Sequence, residues 1–135
     1  MINNLKGTYL SNFYERSMFH EGLLYRNAES AFQASKCKNI EQRKEFQALL
    51  GFQAKAKGRT VEIVSNWNEV RLEVMLNVVR NKFEQHPDLL AMLVGTKDDQ
   101  IVEGNYWNDT FWGVCKGKGE NHLGLILMQV RNELS

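Results

Sequence analysis

A chain of 135 residues, 43% hydrophobic and 10% aromatic, is long enough to bury a core and too apolar for the disordered class. A formal net charge of +1 excludes attraction to nucleic acid or an anionic membrane by bulk electrostatics and leaves only local basic patches. Cys37 and Cys115 stand alone, without CxxC or CxxH company, so no zinc site is indicated, and spacing does not show whether they pair. The opening Met-Ile-Asn-Asn-Leu-Lys lacks the apolar run of a signal peptide, and no apolar run approaches bilayer length. These features read as one soluble, cytoplasmic domain over residues 1–135, with no membrane partner.

In chain order, Tyr9–Tyr14 is apolar and aromatic without a period and reads as an irregular approach segment. Ser17–Leu24 reads as two short strands hinged at Glu21-Gly22. Asn27 is a favourable N-cap for a helix that starts at Ala28 and runs toward Lys36, helped by alanines at 28, 31 and 34. Glu29, Phe32, Gln33 and Lys36 follow at i, i+3, i+4 and i+7, which is one face. That face is either a solvated stripe around one core ring or the polar wall of a site. A second helix is expected over Glu41–Leu50, with Phe46, Leu49 and Leu50 inward and Gly51 as its stop. A short helix ended by Gly58 follows.

Ser65, Asn66 and Asn68 offer caps around Trp67 for a long helix from about Glu69 to Gln85, with Leu72, Met75, Leu76, Val79 and Phe83 on its apolar stripe. Pro87 fits the first turn of another helix through Leu93, stopped by Gly95. Ile101–Glu103 is a strand candidate, Gly104–Gly119 a glycine-rich loop, and a last helix starts near Asn121 on the stripe Leu123, Ile126, Leu127, Val130 and Leu134. The elements amount to an α+β, predominantly helical fold with short strands.

Asn108–Gly124 combines glycines, two lysines and a helix start, which is either an anion cradle or an ordinary surface loop. Trp107, Phe111 and Trp112 either plug a core or make a stacking wall for a flat ligand. His20, His86 and His122 have no metal-ligand spacing. Cys37 beside Lys36 reads as a buried structural thiol rather than a reactive one, and Met75, Met92 and Met128 read as core.

Read together, these pieces resemble the YbiA-like, or NADAR, family over nearly the whole chain. The matching residues are Leu10-Ser11-Asn12-Phe13; Tyr25, Glu29, Phe32-Gln33-Ala34 and Lys36; Gly58-Arg59 and Val61; and Trp67. They continue through Met75, Lys82-Phe83, Leu93, Thr96, Val102-Glu103, Asp109, Trp112-Gly113, Gly119, Asn121, Leu123-Gly124, Leu127-Met128 and Arg131. The chain departs from the family pattern at Ser30 and Cys115. The resemblance implies a mainly helical α+β domain that cleaves N-glycosidic bonds of ribose phosphates. It implies one of two substrates: phosphoribosylamino-pyrimidine intermediates of riboflavin synthesis, or ADP-ribose on guanine, including a base in nucleic acid.

For such chemistry a carboxylate must face the oxocarbenium character that grows on the ribose. By the resemblance that is Glu29, with Asp109 as a second carboxylate or ribose anchor. Lys36 binds phosphate or attacks C1 as a Schiff-base nucleophile. Gln33 positions substrate or water, Trp112 stacks on the base, and Asn12 and Asn121 hydrogen-bond ribose or base. Arg59 or the helix start at Gly119–Gly124 takes phosphate, and Phe13, Tyr25, Trp67, Gly113 and Gly124 complete the expected substrate contacts. No metal or cofactor is expected. The competing reading from a different class is a non-catalytic module that binds ADP-ribose or NAD.

Overall fold

Glu21 and Gly22, both at positive φ (48° and 84°), turn the chain between antiparallel strands β1 (Met18–His20) and β2 (Leu23–Tyr25). This is the expected two-residue turn, whose twist suits paired strands. Met18 pairs with Tyr25 and His20 with Leu23; Met18, His20 and Tyr25 turn inward while Phe19 and Leu24 stay exposed. The computed structural model describes residues 1–135, and the hairpin belongs to one of its two compact units, Asn12–Gln85.

Within that unit helix α1 (Ala28–Ala34) follows β2, and every one of its seven residues is buried. The expected cap is present: Asn27 Oδ1 accepts the Ser30 N–H at 2.8 Å. The helix ends at Ala34, and Lys36 follows in a tighter turn, its N–H bonded to the Gln33 carbonyl at 3.2 Å. Helix α2 spans only Ile40–Lys44, capped by Asn39, and turns carry the chain to Leu49 in place of the longer helix expected to Leu50. Gly51 does not stop a helix; it opens α3 (Gly51–Gly58). The reason is space rather than turn geometry, because a Cβ at Gly51 would lie 2.7 Å from the Phe13 ring.

Helix α4 (Trp67–Gln85) starts two residues before the expected Glu69, with the Asn66 carbonyl accepting the Glu69 and Val70 N–H groups. Its buried stripe is Trp67, Met75, Val78, Val79, Lys82 and Phe83. Leu72, expected inward, is 40% exposed, and a lysine occupies the stripe instead. α1 packs on both α3 and α4, so the unit's core gathers around it.

The other unit joins Met1–Ser11 to His86–Ser135. Helix α5 (Pro87–Gly95) has proline in its first turn as expected and packs against α6 (His122–Leu134), with Leu89 and Leu93 buried. Met92, expected in the core, is 52% exposed. Ile101 makes a parallel bridge to Ile2, but the extended pair lies further on: β3 (Gly104–Asn105) runs parallel to β4 (Val114–Cys115). Leu123, Ile126, Leu127 and Val130 form the buried face of α6. The architecture is α+β and mainly helical, with two sheets of two strands each. No helix is long and apolar enough to cross a membrane.

Candidate functional site

A helix buried on all sides is ordinarily apolar, yet α1 carries Glu29, Ser30 and Gln33 inside the protein. Ser30 Oγ donates to the Leu49 carbonyl at 3.0 Å, and Asn27 Nδ2 donates to the same carbonyl at 3.1 Å and to Glu15 at 3.3 Å. The Glu29 N–H donates to the Asn12 carbonyl at 2.9 Å, which ties Asn12 to the start of the helix. These bonds account for how a polar helix is held in a core.

The polar atoms of Glu29 and Gln33 have a different arrangement. Gln33 Nε2 donates to Glu29 Oε2 at 2.7 Å, an i, i+4 pair inside the protein. Gln33 Oε1, by contrast, is buried with no hydrogen-bond partner. It lies where a Cβ of Gly58 would otherwise be, so Gly58 is the residue that leaves this oxygen its place. A buried acceptor that folding leaves unpaired costs stability and can still receive a donor.

Lys36 stands half-buried beyond the end of the helix, and its ammonium makes no hydrogen bond or ion pair. Burial pushes its pKa below the ordinary lysine value, the Glu29 charge opposes that shift, and Arg59 reinforces it. Glu29, Lys36 and Arg59 therefore feel one another electrostatically, with Arg59 exposed beside two largely desolvated groups. Asn12 is buried, its Nδ2 3.3 Å from Met75 Sδ. Phe13 is 40% exposed and covers Gly51, and Trp67 packs on Phe32 with ring centroids 5.2 Å apart. Tyr25 is buried, and burial pushes its phenol up to about 12, so it stays protonated. Burial also raises the Cys37 thiol, which is inert structural material as expected.

Two further side chains of this unit are buried, although the sequence gives neither a role in the site. Lys82 is 2% exposed, with its ammonium 5.7 Å from the Tyr14 ring centroid and 5.3 Å from that of Phe83. Burial holds its pKa down to about 7, which puts its neutral amine within physiological reach. The signal was present: Lys82 sits at i+7 from Met75 and i+3 from Val79, in the apolar stripe. His20 is buried against Asn81, with Nδ1 2.9 Å from Asn81 Nδ2, and burial lowers its pKa.

The expected site residues of the other unit have structural work. Asp109 Oδ1 accepts the Trp112 N–H at 2.9 Å and turns the loop. Asn121, expected to bind ribose or base, has both ends of its amide engaged: Oδ1 accepts the Glu103 N–H at 2.9 Å and Nδ2 donates to the Ile101 carbonyl at 3.0 Å. A Cβ at Gly113 would strike the Glu103 carbonyl, and one at Gly124 the Ile101 carbonyl, so both glycines serve close backbone approach. The start of α6 is no open anion cradle either, since Asn121, His122 and Leu123 N–H donate to the Gly113, Phe111 and Trp112 carbonyls. The aromatic cluster divides. Phe111 and Trp112 are half-buried and pack edge-to-face at 4.8 Å, with His122 against Phe111 at 4.5 Å, whereas Tyr106 and Trp107 face solvent. Nowhere do three His, Cys, Asp or Glu side chains converge as metal ligands would.

The model of the NADAR domain family matches residues 3–135. Escherichia coli N-glycosidase YbiA is 34% identical over 129 residues, which is 93% of this chain and 80% of that protein. A riboflavin biosynthesis protein of Vibrio vulnificus is 36% identical over 130 residues, 93% of this chain and 35% of that longer protein. Among solved structures, the NMR structure of E. coli YbiA superimposes with a TM-score of 0.82 at 35% identity, covering 93% of this chain and 76% of the other.

Proposed function

The chain belongs to the NADAR domain family, and from that premise we propose that it is an N-glycosidase that hydrolyses the C1′–N bond of a ribose phosphate. The observation that carries the reading is the buried pair Glu29 and Gln33, one carboxylate fixed by an amide whose own oxygen has no partner in the fold. As the C1′–N bond lengthens, positive charge grows on C1′ and the ring oxygen. A desolvated carboxylate facing it is worth several kcal/mol, roughly what one preorganised group supplies in comparable sites. Gln33 Oε1 accepts a hydrogen bond from the attacking water or from a ribose hydroxyl and so orients it.

Lys36 gives the reaction a second route. In its amine form, favoured by burial, it attacks C1′ as the C1′–N bond breaks. The leaving nitrogen takes a proton, the ring opens to a C1=N Schiff base, and water then releases the sugar and restores the amine. Arg59, exposed and adjacent, is the phosphate ligand of this scheme. Lys82 is the competing amine. Borohydride reduction during turnover, followed by peptide mapping, distinguishes them: a stable sugar adduct is expected on Lys36, and an adduct on Lys82 reverses the assignment.

Two substrates carry such a bond, a phosphoribosylamino-pyrimidine and an ADP-ribosylated guanine. The riboflavin name borne by the Vibrio relative favours the first. Incubating the protein with each and identifying the released base by mass spectrometry tests the proposal. Release of a free base by the wild type, lost in Glu29→Gln and unaffected by EDTA, is the expected result. Tight binding of either compound without base release would instead make the protein a binding module, and EDTA inhibition reversed by a divalent metal would remove the metal-independent scheme.

A further inference from the structure

The unit built from the two ends of the chain holds a cleft of about 610 Å³, within the range of ligand sites. Lys6, Asn105, Tyr106, Trp107 and Lys116 line it, and none of its lining residues is acidic. Tyr106 is 75% exposed and Trp107 40% exposed, and the two rings meet edge-to-face with centroids 5.0 Å apart. Lys6 Nζ lies 5.6 Å from the Tyr106 centroid, 6.0 Å from that of Trp107 and 3.4 Å from the Tyr106 hydroxyl. Neither Lys6 nor Lys116 is ion-paired, so two positive charges border two solvent-facing rings with nothing of opposite sign in the cleft.

The ring-bearing loop is held in shape. Asn105 Nδ2 donates to the Asp109 carbonyl at 2.8 Å, and its Oδ1 accepts the Asp109 N–H at 3.0 Å, which closes the turn carrying Tyr106 and Trp107. Gly104 lies so close to Asn3 that a Cβ would strike the Asn3 carbonyl. On the other side, Lys116 and Gly117 form a left-handed turn (φ 53° and 77°) locked by reciprocal backbone bonds between Cys115 and Lys118 at 2.8 and 3.0 Å. The rings are therefore displayed on ordered backbone and remain wet.

We propose that this cleft binds single-stranded nucleic acid, with bases stacking on Tyr106 and Trp107 and the phosphate backbone drawn to Lys6 and Lys116. A free nucleotide is usually gripped by convergent buried donors. Here both lysines are exposed and the Asn105 amide is engaged by its own loop, so the cleft offers stacking faces and dispersed cations, the pattern of sequence-tolerant strand binding. This inference goes beyond the N-glycosidase reading and does not depend on it, because its test measures binding without turnover.

The test is fluorescence anisotropy with a labelled ten-residue oligodeoxythymidylate at low salt, beside an abasic strand of equal length and AMP as competitor. The oligonucleotide is expected to bind, with log K falling against log salt at a slope of about −1.4, from roughly 0.7 for each phosphate neutralised by Lys6 and Lys116. Trp107→Ala should weaken it roughly tenfold and Trp107→Phe much less. Lys116→Ala, on an exposed turn, should make the slope shallower by about 0.7. Melting curves check that each variant is folded. Equal binding of the abasic strand, unchanged affinity in Trp107→Ala, or no binding at all overturns the proposal. AMP competing as strongly as the strand reassigns the cleft to a free nucleotide and overturns the strand reading.

Discussion

Helix α1 and the loop from Ile101 to Asn121 contain the same kinds of polar side chain and use them in opposite ways. In the loop, the amides of Asn105 and Asn121 and the Asp109 carboxylate are bonded to the protein's own backbone. Around α1, Asn27 and Ser30 are used that way too, but Gln33 Oε1 and the Lys36 ammonium are left without partners beside Glu29. The difference teaches where to look for chemistry. A polar group tied to backbone already has work in the fold, and one kept buried and unpaired still has a donor to receive.

The largest test of that contrast is Glu29→Gln. It keeps the shape and removes the charge, so kcat should fall on the order of 10³-fold while the melting temperature changes little. A variant that turns over normally would return Glu29 to architecture. Lys36→Met comes next, with an expected loss on the order of 10²-fold in kcat. Its melting temperature should hold or rise, because no partner is orphaned and a partly buried charge is removed. On the loop side, Asn121→Ala should cost on the order of 2 kcal/mol of stability by stranding the Glu103 N–H and the Ile101 carbonyl. Its kcat per folded molecule should stay the same, and a selective loss of activity would erase the distinction.

The smallest effect concerns pH. Burial lowers the His20 pKa from its ordinary 6.5, so on acidification the unfolded chain takes up the proton first. The stability tied to neutral His20 is therefore complete above 6.5 and lost as pH falls through the folded value. His20→Gln should flatten the pH dependence of chemical unfolding in that window, and an unchanged slope would show that another group sets it.

Short-range features were legible in the sequence: the Asn27 cap, the Glu21-Gly22 turn and the proline-led α5 all depend on neighbouring residues. What failed depends on parts of the chain that meet only on folding. By sequence Gly51 marks a helix stop, because glycine commonly ends helices, whereas in the fold it admits the Phe13 ring. Leu72 belongs to the expected stripe yet is exposed, while Lys82 is buried against the Tyr14 and Phe83 rings, neighbours that only the fold supplies. Glu29 and Gln33 were candidates through a family pattern, but the polarity of their helix argued against burial. The unpaired oxygen on Gln33 had no sequence signal, since it exists only because Gly58 lacks a side chain.

The brevity of α1 has a consequence for how the protein folds. Seven residues are well below the roughly 12–15 at which isolated helices become even marginal in water. The bonds that hold α1 come from far along the chain, from the Asn12 and Leu49 carbonyls and the Glu15 side chain. Formation of α1 therefore waits for the segments around 12–15 and 49–58 to arrive, and no partly folded species carries the Glu29–Gln33 pair in place. The amide hydrogens of α1 should accordingly exchange with solvent only in openings that also release α3, as one cooperative unit.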